Sequence, residues 1–121
     1  MRSRTKDSKV VNMTGGYSTS YRYTYNHGSS IGTANYFSID LGNYFSNAQD
    51  AQVKVALIDM SGNPIYVLGS SSEYAVIGVT TGLDTYTKSF ADTEVQGFYI
   101  VFRSTKSEAV YLYMDNVVIA R

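Results

Sequence analysis

Val110-Tyr111-Leu112-Tyr113-Met114-Asp115-Asn116-Val117-Val118-Ile119 alternates in two phases. Its strongly apolar positions are even up to Met114 and odd at Val117 and Ile119. Period-two alternation marks a strand with one buried face. A phase change would turn half of that strand inside out. One extra residue near Asp115-Asn116 restores the register, so the sequence predicts a β-bulge there.

The same alternation recurs upstream. Phe37, Ile39 and Leu41 share a face against Tyr36, Ser38 and Asp40, and Val53, Val55 and Leu57 share another. In Phe98-Tyr99-Ile100-Val101-Phe102-Arg103 the even positions are strongly apolar. Turn residues separate the runs: Asn26 to Gly32, Ser61-Gly62-Asn63-Pro64, Gly69 to Ser72, Thr80-Thr81-Gly82, and Ala91 to Gly97. No amphipathic helix of three turns is found. The pattern predicts strands over 17–25, 35–41, 51–59, 64–69, 73–79, 84–90, 97–104 and 109–119. About eight short strands with regular turns point to a β-sandwich or barrel. The last two strands could pair as a hairpin, with Tyr99 opposite Tyr113, or lie in opposite sheets across the core.

Composition narrows the chemistry. The chain has 121 residues, 10 Lys plus Arg, 10 Asp plus Glu, no Cys, no Trp, one His and 12 Tyr. The length suits one domain. Without Cys there is no disulfide framework, thiolate metal site or Cys nucleophile, and one His cannot supply a two-imidazole site. No run is long and apolar enough to span a membrane, and the first residues lack the apolar core of a signal peptide. Arg2, Arg4, Lys6 and Lys9 against Asp7 give the first ten residues a local charge of +3, leaving −3 on the other 111. Residues 1–12 read as a basic flexible arm and 13–121 as the domain. An acidic domain argues against nucleic acid as the main ligand.

The closing stretch, with its aromatic-apolar run followed by Asp115-Asn116-Val117, resembles the last strand of jelly-roll carbohydrate-binding modules of the galactose-binding-like superfamily. Tyr86 to Phe90, Gly97 to Phe102, and Val53 to Asp59 with the following Ser-Gly-Asn turn resemble other strands of that group. The resemblance covers roughly residues 35–120. It implies an all-β fold: a single-domain sandwich, a jelly roll of about eight antiparallel strands in two sheets. It also implies a non-catalytic protein, outside the cell or on a virion, that attaches a parent protein or particle to a glycan. In many relatives the Asp of the closing strand helps hold a structural calcium, a role that would fall to Asp115. These modules often stack sugars on Trp; here Tyr is the aromatic residue available.

If 35–41, 64–69, 73–79 and 97–104 form one sheet, its outward side shows Tyr36, Ser38, Asp40, Tyr99 and Arg103. Tyr36 and Tyr99 would stack on sugar faces, while Asp40 and Arg103 bond hydroxyls. Tyr17, Tyr21, Tyr23 and Tyr25 share parity on the first strand and either fill the core or line a platform. A second reading is structural: a virion decoration, tail appendage or surface-protein spacer whose tyrosine-rich faces make protein contacts, including a homo-oligomer. Catalysis finds little support. No carboxylate pair is marked out for glycoside hydrolysis, and His27 reads as a loop residue. Asn12-Met13-Thr14 matches a glycosylation sequon, which matters only on a secretory route.

Overall fold

The computed structural model describes residues 9–13, 20–26, 28–43, 51–104 and 110–121. Their regular elements are eight strands: β1 (Lys9–Met13), β2 (Ser20–Asn26), β3 (Gly32–Gly42), β4 (Ala51–Asp59), β5 (Pro64–Leu68), β6 (Ala75–Ile77), β7 (Asp84–Ser104) and β8 (Val110–Ala120). Every pairing is antiparallel. Lys9–Met13, at the end of the expected arm, pairs along β8. Asp7, Thr14, Tyr17 and His27 lie outside the described residues.

The pairings sort into two layers. One runs β1-β8-β3 and ends on the first half of β7. The other sets β2 and β4 on either side of β7's second half, with β5 and β6 end to end along the far side of β4. Their inner faces meet in one core. Phe37, Ile39, Leu41, Met114, Val117 and Ile119 come from the first layer; Val53, Val55, Leu57, Phe98, Ile100 and Phe102 come from the second. All are buried. Burying each large side chain contributes about 1.5–3 kcal/mol. The protein is an antiparallel β-sandwich.

Two expectations are corrected here. The segments 84–90 and 97–104 are one strand of 21 residues. Polar residues Asp92, Thr93 and Glu94 read as a turn because they are exposed or half-buried, yet Thr93, Glu94 and Val95 pair with Ala34, Thr33 and Gly32. Between Ala34/Thr93 and Tyr36/Ser89 the register shifts, and it shifts again where Ile58/Gly97 gives way to Asp59/Val95. Irregularities of this kind bend a strand, and they lie where β7 passes from one layer to the other. Second, 35–41 does not lie in the same layer as 64–69, 73–79 and 97–104, although β7 joins the two layers in one hydrogen-bonded sheet. It is the centre of the other layer, between β8 and the first half of β7.

The hairpin alternative for the chain end is not formed: β8 pairs with β3 and β1, in the layer opposite β7's second half. The predicted bulge is present. Ser38 faces Val118 but Asp40 faces Asp115, so β8 carries one extra residue. Asn116, with φ of 49°, takes the left-handed conformation that Asn tolerates better than most residues. Its backbone N–H donates to Asp115 Oδ1 at 2.8 Å. Met114 and Val117 are both buried as a result.

Candidate functional site

The outward face of the second layer gathers the aromatic and cationic side chains. Inward residues of β4 are odd (Val53, Val55, Leu57), so Gln52, Lys54 and Ala56 point out. Register then sets Arg103 beside Gln52, Val101 beside Lys54 and Tyr99 beside Ala56. On the other side of β4, a register shift in β5 places Val67 in the core and Tyr66 opposite Ala56.

Ala56 therefore lies between two tyrosines in neighbouring strands. It is on the outward face yet 0% exposed. The Tyr99 and Tyr66 hydroxyls meet at 3.3 Å. The two rings lean together over the one small residue between them, spanning two strand spacings, about 10 Å.

Tyr74, just before β6, completes the strip. The Arg103 guanidinium carbon lies 4.1 Å from the centre of its ring and Lys54 Nζ 4.4 Å. Lys54 Nζ is also 5.9 Å from the Tyr66 ring and donates to the Ser71 carbonyl at 3.2 Å. Arg103 Nε donates to Gln52 Oε1. Cation–π contacts at half-exposed sites contribute about 0.5–1 kcal/mol each. They fix the cations beside the rings, giving a half-buried surface of three aromatic rings with guanidinium, ammonium and amide groups among them.

Of the four residues expected to bind sugar, Tyr99 and Arg103 belong to this surface. Tyr36 and Asp40 do not. They point outward from β3, on the opposite side of the sandwich. Asp40 is engaged there, accepting from Thr85 Oγ1 at 2.6 Å and from Asn116 Nδ2 at 2.8 Å, which straps the bulge to β3 and β7. Tyr66, Tyr74, Lys54 and Gln52 were not singled out from the sequence. Lys54 and Gln52 were legible as the polar phase of β4; Tyr74 lies outside any alternating run. Register sets Tyr21, Tyr23 and Tyr25 opposite Phe102, Ile100 and Phe98.

Asp115 faces Asp40 across β3 and β8. One of its oxygens already accepts the Asn116 amide. Among the described residues no third acid or histidine joins the pair. Tyr86, in the first half of β7, packs against the core. Burial, and secondarily the nearby Asp84 carboxylate, raises its hydroxyl pKa above the ordinary value.

Solved structures similar to this fold include the following. One is a mutant of a family 29 carbohydrate-binding module complexed with cellulohexaose, at 13% identity and TM-score 0.55, covering 93% of this chain and 68% of that one. Another mutant of such a module, complexed with mannohexaose, gives 13%, 0.55, 93% and 69%. PirA matches at 13% identity and TM-score 0.53, over 93% of this chain and 95% of its own. The fold is the jelly-roll β-sandwich that these carbohydrate-binding modules also have. No protein-family model matches the sequence, and a search of curated protein sequences returns no match. At this identity the likeness speaks for architecture; ligand chemistry has to be argued from the side chains.

Proposed function

We propose that the chain is a non-catalytic carbohydrate-binding module that attaches a parent protein or particle to a glycan through the outward face of the second layer. The observation that carries this reading is the ring of Tyr74, with the Arg103 guanidinium 4.1 Å and Lys54 Nζ 4.4 Å from its centre, beside the Tyr66–Tyr99 pair. A sugar presents an apolar C–H face and a rim of hydroxyls. The tyrosine rings suit the former. Arg103, Lys54 and Gln52 suit the latter, as charge-assisted or neutral donors and acceptors. An open sheet face, rather than a closed pocket, suits an extended chain over a small sugar. The fold neighbours complexed with hexasaccharides support the same class of ligand. Few contacts imply modest affinity per site, which repeated copies would multiply. Such a role belongs outside a cell or on a particle surface, where glycans are exposed.

Isothermal titration against a polysaccharide panel tests this, using the wild type, Tyr74→Ala, Arg103→Ala and, on the opposite side, Tyr36→Ala. The expected result is binding by wild type and Tyr36→Ala, weakened about tenfold or more in the other two, the equivalent of about 1.4 kcal/mol. A folded wild type that binds no glycan would remove the proposal. Equal loss in Tyr36→Ala would move the site to the other face.

A further inference from the structure

Among the described residues the first half of β7 is an edge. Asp84 to Ser89 pair with Leu41 to Tyr36 on one side. On the other side, among the described residues, no strand pairs with them. β4, which occupies that side of β7, reaches only Val95 to Ser104. Such an edge offers a row of backbone donors and acceptors to another strand. The register shift after Ser89 ends the regular stretch.

The edge sequence is Asp84-Thr85-Tyr86-Thr87-Lys88, with opposite charges equidistant from a central tyrosine. Asp84, Thr85, Thr87 and Lys88 are exposed. Among the described residues neither Asp84 nor Lys88 has an ion-pair partner. They cannot pair with each other along the strand, where four residues span about 13 Å.

We propose that this edge joins a second copy of the same chain, antiparallel, about a two-fold axis at Tyr86. Tyr86 then faces its counterpart, Asp84 faces the other copy's Lys88 twice, and Thr85 faces Thr87 twice. Opposite charges and threonine pairs directly across strands are both favourable. Among residue-centred two-fold registers, this one matches the charges. Centring on Thr87 sets Asp84 against Phe90, and centring on Thr85 sets Lys88 against Gly82. The contact is isologous and closes at two copies, so it yields a dimer rather than a fibre. A charged edge ordinarily discourages pairing; here the charges are matched in one register and left unmatched in its neighbours. The Tyr66–Tyr74–Tyr99 surface lies in the other layer, so this contact is independent of the glycan reading.

Sedimentation equilibrium over a dilution series tests it, with circular dichroism to confirm folding. The wild type is expected to approach twice 13.4 kDa as concentration rises. Asp84→Lys and Lys88→Asp alone should each remain monomeric, because each sets like charges opposite. The double exchange D84K/K88D should restore the dimer, and an equal mixture of the two single variants should form a heterodimer. A wild type monomeric at every concentration overturns the proposal. So does a dimer that survives both single exchanges, which would place the contact elsewhere.

Discussion

Asn116 offers a measurement whose ordering is unusual. In a regular strand, replacing Ala by Gly costs about 0.5–1 kcal/mol, because Gly loses more backbone freedom on folding. At φ of 49° the ranking should reverse. Ala placed there strains its Cβ against the backbone, at about 1–2 kcal/mol. It also loses the 2.8 Å bond from Asn116 Nδ2 to Asp40, an exposed contact contributing about 0.5–1.5 kcal/mol. Asn116→Ala should therefore cost about 1.5–3.5 kcal/mol. Asn116→Gly loses the same bond without the strain and should be about 1 kcal/mol more stable than Ala. With an unfolding entropy of about 2.1 cal/mol/K per residue, each kcal/mol lowers Tm by about 4 °C. Urea denaturation with a common m-value, and calorimetry, would measure both variants. If Ala equals or exceeds Gly, the left-handed bulge is not how β8 changes phase.

Tyr86 gives a pH signature. Its folded-state pKa is raised, so the folded state holds the phenolic proton more tightly than the unfolded chain does. That contribution is complete below the unfolded value, about 10, and is lost as pH rises through the folded one. Urea midpoints should fall in that alkaline range, and Tyr86→Phe should flatten the fall; an unchanged slope would contradict it. Gly69 has φ of 75°, and a Cβ there would lie 2.8 Å from the Glu73 carbonyl oxygen. Gly69→Ala should cost at least about 1–2 kcal/mol from conformation alone, read as a drop in Tm; an unchanged Tm would mean the Gly69–Glu73 turn yields freely.

The two phases of the closing strand were legible because burial writes itself locally: Met114 and Val117 must both face the core, and only an inserted residue reconciles them. The alternating runs of β3, β4 and β7 were legible for the same reason. Sheet membership was not. Whether Tyr36 and Tyr99 share a face depends on which strand lies beside which, and that is settled by closure of the whole core. The segment from Ala91 to Gly97 misled because its polar residues resemble a turn, although Asp92 is simply surface, accepting from Asn35 Nδ2 and paired with Arg121. The Tyr66–Tyr99 bridge is invisible in sequence because Ala56, the residue that allows it, reads as one more small apolar side chain.

β7 belongs to both layers as one strand from Asp84 to Ser104. Neither layer can therefore open as a separate unit without tearing pairs from the strand it shares. Local opening free energies, measured by amide hydrogen exchange, should converge on the global value along β3, β4 and β7. On that expectation, Asn116→Ala at the bulge of β8 should lower amide protection in β4, beneath the tyrosine surface, as well as in β3.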